Sequence, residues 1–295
     1  MNKLQKVWNE ILSLIRFILE PKSYKTRRKL VLAHYKKTDL GKQPIEIVEA
    51  LKFLKYHKYN PFPFKWILKY DHLKIKVFKD ESLKRFYVYF NEKKLYYPLH
   101  FTKKHCVWAT RSILKEQDPQ SAHLYLTENF QVDQDSIVID AGVAEGNFSL
   151  LVIDKVKKIF LIECDPAWVE ALKLTFEPWK EKVVFVQKNL SDINDDNSVT
   201  IDSLVEPQPN EKYFVKMDIE GYEKRALAGM TKLLTAQNSL KMDICTYHHP
   251  NDLIDLSSIV KKFNLTWRTS DSYVLFFLPG EQPSFRKALI RVERS

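Results

Sequence analysis

Cysteine and glycine are both scarce in this sequence, and their scarcity limits what the protein can be. The 295 residues include only three cysteines, Cys106, Cys164 and Cys245, and no Cys-x-x-Cys pair. This number and spacing indicate neither a disulfide framework nor a zinc knuckle, so we expect a reducing compartment, the cytoplasm. Of only six glycines, two, Gly142 and Gly146, fall in one short segment, which therefore stands out.

Long apolar runs are also missing. No 18 consecutive apolar residues occur, so the sequence predicts no segment that spans a bilayer. Near the amino terminus, Asn9, Glu10 and Arg16 interrupt the apolar run, so we expect no signal peptide. Repeats and low-complexity segments are absent, and a hydrophobic content of 45% is typical of a globular protein. The length allows one large domain or one domain with an appendage.

Positive charge, by contrast, is abundant and unevenly distributed. The net charge is +10, and residues 1–60 alone hold 14 Lys or Arg against 5 Asp or Glu, a net of +9. Apolar residues at helical spacing predict an amphipathic helix over residues 3–19. A basic stretch follows, with Lys22, Lys25, Arg27, Arg28 and Lys29. Two interpretations stay open: the helix packs on its own domain, or residues 1–40 make a peripheral contact with an anionic membrane.

The stretch SIVIDAGVAEGNFSL, residues 136–150, is the most informative part of the chain. Its apolar residues 137–139 fit a buried parallel strand. Asp140, Gly142 and Gly146 then form a turn of small residues, and Asn147 is placed to cap the apolar helix that follows. A strand, a glycine turn and a helix start in this order predict a cradle for a nucleotide-type cofactor.

The acidic residues of this segment indicate which cofactor it holds. A dinucleotide-binding turn reads Gly-x-Gly-x-x-Gly, whereas this one reads Asp-x-Gly-x-Ala-x-Gly and includes Glu145. Two carboxylates, Asp140 and Glu145, would repel a pyrophosphate but would tolerate the sulfonium of S-adenosylmethionine (SAM). Glu163 ends the next predicted strand and is placed to bind both ribose hydroxyls. The alternative is a generic α/β turn with a surface acid.

Strands and helices alternate through the rest of the chain. Strands are predicted at 158–163, 183–187, 213–221 and 239–247, and helices at 166–176, 222–236 and 252–263. LTWRTS and YVLFFL then flank Asp271 and Ser272 as a hairpin. This pattern predicts an α/β fold of the Rossmann-like class I methyltransferase type, with a seven-stranded, mostly parallel sheet and an antiparallel terminal strand at the edge.

The front of the chain predicts a different organisation. A helix is expected over residues 44–57, and three strand-like segments between 73 and 101 suggest a small antiparallel sheet with turns at 79–82 and 91–92. Helical signals return from residue 106 and include 116–125, which would bring His123 and Tyr125 to the mouth of the cofactor cleft. We therefore predict an N-terminal region, 1–105, and a SAM-dependent domain, 106–295.

Several of these motifs resemble those of the FkbM family of SAM-dependent methyltransferases. The similar segments are VIDAGVAEGNFSL at 138–150, ECDP at 163–166, KMDIEGYE at 216–223, CTYHHPND at 245–252 and SAHLY at 121–125. The resemblance covers roughly residues 110–280, and Ala144 departs from it where a second turn glycine is expected. It implies methyl transfer to hydroxyls, often on sugars or polyketide products. The predicted cofactor contacts, drawn from the turn, the strand ends and the loop before the first strand, are Asp140, Gly142, Glu145, Gly146, Asn147, Glu163, Cys164, Asn189, Leu190, Ser191, Asp218 and His123.

An alcohol acceptor requires help with its proton, because its pKa lies far above neutrality. Either a general base or a metal ion must assist. Asp218 and Glu220 share a face of the fourth strand if that strand continues so far. In the family resemblance a Tyr-His pair occupies 247–248, so the resemblance implies His248 as the base, with His249 in reserve.

The same side chains also offer a metal site, and their neighbours suggest structural roles. Asp218, Glu220 and His248 could together hold a divalent cation. Lys216 is expected to pack or to pair with a carboxylate, Glu223 to stabilise its own helix rather than contact substrate, and Asp252 to cap the helix that follows. Neither the metal nor its absence follows from the sequence.

Three functions compete. The first is O-methyl transfer to a sugar hydroxyl of a bacterial surface glycan or its lipid-linked precursor, in the cytoplasm or peripherally at the inner membrane face. The second is RNA methylation with the basic N-terminal region on phosphates, although no RNA-binding motif is visible. The third is a non-catalytic SAM-binding protein. The acceptor and the oligomeric state do not follow from the sequence.

Overall fold

The structure, a computed structural model, describes residues 21–236 and 238–294 and divides into two compact units. The first unit comprises residues up to Leu68 together with Tyr273–Arg286, and the second comprises Lys69–Ser272 and the residues from Lys287 onward. The predicted division between residues 105 and 106 lies inside the second unit. The predicted helix at 3–19 lies outside the described residues. Within the described ranges, every helix is too short or too polar to cross a bilayer.

The elements are numbered along the chain. The helices are α1 (Pro21–Tyr35), α2 (Ile45–Tyr56), α3 (Leu68–Asp71), α4 (Lys103–Glu116), α5 (Asn147–Val152), α6 (Pro166–Thr175), α7 (Ile201–Leu204), α8 (Glu223–Ala228), α9 (Thr231–Thr235) and α10 (Asp252–Lys261). The strands are β1 (Phe78–Asp80), β2 (Arg85–Phe90), β3 (Lys93–Tyr96), β4 (Ile137–Ala141), β5 (Lys158–Ile162), β6 (Val183–Val186), β7 (Asn189–Leu190), β8 (Ser198–Val199), β9 (Lys212–Met217), β10 (Ser239–Cys245), β11 (Thr266–Thr269), β12 (Val274–Phe276), β13 (Ser284–Arg286) and β14 (Leu289–Arg294).

The first unit is built on α1, α2 and the hairpin of β12 and β13. The helix predicted at 44–57 is confirmed as α2, which Pro44 precedes. Leu51 and Leu54 of α2 pack in one apolar cluster with Val31 of α1 and with Leu275 and Phe277 near the hairpin. A segment from late in the sequence therefore completes the core of the early helices.

The predicted small sheet is confirmed and belongs to the second unit. β1, β2 and β3 pair antiparallel in sequence order. Asn91 and Glu92 both have positive φ values, 48° and 63°, as a two-residue type I′ hairpin requires. The first strand begins only at Phe78, and its turn lies at 81–84 rather than at 79–82.

The main sheet confirms the predicted fold class. Its seven strands run in the order β11-β14-β10-β9-β4-β5-β6, and β10, β9, β4, β5 and β6 are mutually parallel. The reversed strand is β14, the last of the chain, but it lies between β10 and β11 and not at the edge as predicted.

The hairpin predicted around Asp271 and Ser272 is wrong. β11 pairs with β14, and β12 pairs with β13 in the first unit. The sequence predicts YVLFFL as a strand that pairs with LTWRTS, but Leu275 and Phe277 are buried in the apolar cluster of the first unit. An apolar run predicts burial but not in which core, so the sequence did not distinguish a strand of the main sheet from a segment of the first unit.

The helix predicted at 222–236 is divided into α8 and α9 at Gly229. A Cβ atom on Gly229 would lie 2.1 Å from the carbonyl oxygen of Ser191, so the chain passes too closely there for any other residue. The helical prediction for 116–125 is also wrong, since α4 ends at Glu116 and residues 117–125 form a loop. Pro119 lies in this loop and lacks the N–H that a helix interior needs.

Candidate active site

The site lies where β4, β9 and β10 end side by side at the carboxyl edge of the sheet. Asp218 directly follows β9, and Tyr247 and His248 follow β10. Because β9 ends at Met217, Asp218 and Glu220 do not alternate along a strand, contrary to the prediction. Glu220 instead has a positive φ of 56° in the turn before α8.

Asp218 is the centre of a cluster of hydrogen-bond donors. Tyr125 donates its hydroxyl to Oδ2 at 3.0 Å, and Tyr247 donates to Oδ1 at 3.3 Å. His123 Nε2 lies 3.5 Å from Oδ2, and His248 Nε2 lies 3.3 Å from Oδ1. Burial would raise the pKa of this carboxyl, but hydrogen bonds from His123 and His248 hold it well below its usual range. Asp218 is therefore ionised at neutral pH, and 18% of its side chain remains exposed.

His248 lies between two carboxylates. Its Nδ1 is 3.0 Å from Glu223 Oε1, and its Nε2 faces Asp218, with Glu220 Oε2 at 3.8 Å. Burial alone would lower the pKa of His248, but the hydrogen bonds to Asp218 and Glu223 outweigh it and raise the pKa well above its ordinary value. Both ring nitrogens therefore face carboxylates, which favours the protonated imidazole over the neutral form that the predicted base requires.

The predicted metal set, Asp218, Glu220 and His248, is only partly brought together. Glu220 is 61% exposed and its Oε2 lies 3.8 Å from His248 Nε2, whereas Asp218, Glu223 and His248 bring ligand atoms within 4.8 Å of one another. A second group, His123, Asp218 and Cys245, brings Sγ to 3.7 Å from His123 Nε2. Burial raises the pKa of the Cys245 thiol well above its usual range. The divalent cation stays a prediction.

Glu223 was missed as a site residue by the sequence analysis. Its side chain is buried, and Oε1 accepts the backbone N–H of Ile219 at 3.1 Å besides facing His248. It is the first residue of α8, so the turn that carries Asp218 and Glu220 folds back over it. The spacing of acids in DIEGYE was the available signal, but it did not reveal the histidine partner.

Asp140 lies beneath the glycine turn and is fully buried. Its Oδ1 is 3.1 Å from Lys216 Nζ, and its Oδ2 accepts the hydroxyl of Ser149 at 2.6 Å. The contact with Asp140 confirms the predicted pairing of Lys216 with a carboxylate. Lys216 also donates to the carbonyl of Gly142 at 2.5 Å. The ion pair therefore joins β4 to β9 and fixes the start of the turn.

The turn needs its glycines for two separate reasons. Gly142 has a φ of 75°, and a Cβ there would lie 1.8 Å from the carbonyl oxygen of Asp218. Gly146 has a φ of 81° and precedes α5, which begins at Asn147. Asn147 is thus the first helical residue and not the predicted cap. Ala144 adopts a positive φ of 45°, so alanine tolerates the place of the expected glycine.

Glu163 supports the turn from the end of β5. Its Oε2 accepts the N–H of Ala144 at 3.0 Å, and its Oε1 accepts the N–H of Asp165 at 2.8 Å. Each carboxylate oxygen has a second acceptor position, so contact with ribose hydroxyls remains compatible with these bonds. Cys164 follows directly and is exposed.

Two further carboxylates belong to the site region. Glu145 is half-buried, and burial, helped by the nearby Glu116 carboxylate, raises its pKa to about 7. Burial also raises the pKa of Glu116, at the end of α4. The charges of His123 and Asp218 act on the pKa of the Glu116 carboxyl, so Glu116 lies near the cluster around Asp218, and no sequence motif indicated it.

The remaining predicted residues bond chiefly within their own loops. Asn189 donates its side-chain amide to Asn197, Leu190 is buried in the core, and the Ser191 hydroxyl donates to Asp192. Their predicted contact with the cofactor stays a prediction.

His249, the reserve base, is exposed, and its ring lies against Gly221. Its backbone N–H donates to Asp252 Oδ2 at 2.6 Å. Asp252 is the first residue of α10, and Asn251 holds the cap position. The predicted cap at Asp252 is therefore wrong.

Comparison with known proteins identifies one family and several similar solved structures. The model of the methyltransferase FkbM domain matches residues 91–256. Among solved structures, methyltransferase FkbM from Methylobacillus flagellatus KT is 19% identical, with a TM-score of 0.45 over 59% of this chain and 47% of that one. Precorrin-6y C5,15-methyltransferase from Geobacter metallireducens GS-15 is 11% identical, with a TM-score of 0.38 over 55% of this chain and 81% of that one.

No curated protein matches the chain. The alignment spans about half the length of the Methylobacillus chain. Since the family model covers more than half of the 295 residues, the protein belongs to the FkbM methyltransferase family.

Proposed function

We propose that the protein transfers the methyl group of SAM to a hydroxyl of a sugar, in a bacterial surface glycan or its lipid-linked precursor. Membership of the FkbM family supports methyl transfer. The observation that carries the hydroxyl acceptor is the ionised, partly exposed Asp218 at the carboxyl end of β9. The sugar rests on the resemblance to bacterial members of the family.

The turn at 142–146 and Glu163 are suited to hold the cofactor. Gly142 lets the turn pass directly against the backbone carbonyl of Asp218, and Glu163 offers its remaining lone pairs to ribose hydroxyls. Glu145, with its pKa near neutrality, offers a negative charge to a cationic ligand. When bound, SAM supplies an electrophilic methyl group on its sulfonium sulfur.

In the proposed reaction, Asp218 receives the proton of the acceptor hydroxyl. The bond between sulfur and methyl carbon breaks as the bond between carbon and acceptor oxygen forms, and the sulfur keeps the electron pair. The acceptor oxygen becomes strongly acidic as it gains the methyl group, so a carboxylate of low pKa suffices if the proton leaves late. The hydroxyl of Tyr247, which is half-buried and bonds at 3.3 Å, is the donor that the acceptor would replace.

His248 then acts as a fixed cation that orients Asp218, in place of the base role predicted from sequence. The donors around Asp218 restrict its rotation, and positioning in line with the methyl group accounts for much of the rate of such a displacement.

The proposal is tested by incubating the full-length protein with isotopically labelled SAM and either surface polysaccharide or lipid-linked precursor. Mass spectrometry should find label on a sugar oxygen. Asp218→Asn should reduce turnover by about a hundredfold or more, the usual scale for loss of an acid or base. Its SAM affinity, measured by calorimetry, should change only slightly. Label that enters RNA and neither glycan fraction would contradict the proposed acceptor.

A further inference from the structure

The first unit exposes a lysine-rich surface that the candidate active site does not use. In residues 21–60 the exposed basic side chains are Lys25, Lys29, Lys36, Lys37, Lys42, Lys52, Lys55 and Lys58. The exposed acids of the same segment are Asp39 and Glu49, and Asp39 pairs with Lys42 at 3.8 Å. This surface therefore keeps a strong positive charge that is not neutralised within the segment.

The arginines of the basic stretch have a different role. Arg27 is buried, and its guanidinium lies 5.5 Å from the ring centroid of Tyr59 and 5.0 Å from that of Phe277. Arg28 donates to the carbonyl of His57 at 3.2 Å. These two side chains stabilise the unit, so the lysines, and not the arginines, face solvent.

Large apolar side chains are exposed among the lysines. On α1, Leu30 is 52% exposed and lies beside the exposed Lys29, about 100° further round the helix. On α2, Ile45 is 64% exposed and Tyr56 is 83% exposed, on one stripe with Glu49 and Lys52. Each helix thus exposes both ammonium and apolar groups to solvent.

We propose that the lysine-rich surface binds an anionic lipid bilayer. Ammonium groups on long apolar stems attract acidic headgroups, while neighbouring aliphatic and aromatic groups enter the boundary between headgroups and acyl chains. Nucleic acid would also attract the charge, but it rewards aromatic stacking, and among the large apolar side chains exposed in residues 21–60 only Tyr56 has a ring to stack. The proposal does not depend on which acceptor is methylated.

Vesicle flotation with the full-length protein tests the proposal. Phosphatidylcholine vesicles that contain phosphatidylglycerol should recover the protein, and vesicles of phosphatidylcholine alone should not. The triple variant Lys25→Glu, Lys29→Glu and Lys36→Glu should weaken binding by about tenfold or more, given the usual contribution of each basic residue near an anionic surface. Salt should weaken binding of the wild type.

The matched control makes the same charge change at exposed lysines of the second unit, Lys103→Glu, Lys104→Glu and Lys262→Glu. It should bind nearly as well as the wild type. A second variant, Leu30→Ser with Tyr56→Ser, should also weaken binding without altering charge. Circular dichroism confirms that each variant is folded. Equal recovery of the triple variant and its control, or RNA that competes the protein off the vesicles, would overturn the proposal.

Discussion

At the residue scale, the charge of His248 decides how the site works. The sequence predicted a neutral histidine because free imidazole titrates near neutrality. It could indicate that His248 follows a strand, but its two carboxylate partners come from the end of β9 and the start of α8. Those contacts depend on how three elements pack, which spacing along the chain does not encode.

Glu223→Gln should make methyl transfer sensitive to alkaline pH. Glu223 helps raise the pKa of His248, so removing its charge lowers that pKa. A histidine whose pKa is raised in the folded protein stabilises the folded state fully below its unfolded-state pKa. This stabilisation is lost as the pH rises through the folded-state pKa. The variant should therefore lose activity at a lower pH than the wild type. A pH–rate profile, with imidazole shifts followed by NMR, measures this.

Glu220→Gln is the control for this change, since its side chain is 61% exposed and its oxygen lies 3.8 Å from His248. It should shift the alkaline limb of the pH–rate profile less than Glu223→Gln does. Alkaline limbs that coincide for the wild type and Glu223→Gln would show that Glu223 does not set the charge of His248.

Glu145 should make SAM affinity depend on pH near neutrality. Burial raises its pKa to about 7, so the free protein holds it partly protonated at neutral pH. A cationic ligand favours the ionised form, so calorimetric affinity for SAM should rise with pH through about 7 and then level off. Glu145→Gln should flatten the profile, whereas Glu181→Gln, at an exposed position, should not. If SAM affinity rose with pH as steeply in Glu145→Gln as in the wild type, Glu145 would not be a residue of the cofactor site.

At the scale of elements, the sequence indicated most strands but not all their partners. Apolar runs located β4, β5, β6, β9 and β10, because strands buried on both faces are continuously apolar. The pattern could not show that β11 pairs with β14, because an apolar run does not specify its neighbour. Nor could it show the break between α8 and α9, which lies where Gly229 passes close to the carbonyl oxygen of Ser191.

The Lys216–Asp140 pair, which joins β4 to β9, should be essential for stability. Both side chains are almost fully buried, so Lys216→Met leaves an uncompensated carboxylate. Breaking such a pair costs about 3–5 kcal/mol. Urea denaturation should show this loss, and weaker SAM binding should accompany it because Lys216 holds the Gly142 carbonyl. The double variant Asp140→Asn with Lys216→Met should recover part of the stability. A single variant as stable as the double one would contradict this.

At the scale of the whole molecule, the sequence predicted the class of sheet but not the composition of the first unit. The segment 273–286 belongs with the early helices, more than two hundred residues away in the sequence. Its apolar residues predict burial, but only the three-dimensional structure shows in which core. The same limit applies to the site. Strand ends placed Asp218 and His248 together, but the motif that ends at Glu223 did not reveal its contact with His248, and no motif marked Glu116.

Titration calorimetry with SAM tests the account most directly, because the turn, Glu163 and Asp218 are given separate tasks. The folded wild-type protein should bind SAM, and Glu163→Ala should weaken binding by about tenfold or more, since a bidentate contact with a ligand is lost. Asp218→Asn should bind nearly as well as the wild type. Absence of any heat when SAM is added to the folded wild type, or an unchanged affinity in Glu163→Ala, would contradict the assignment.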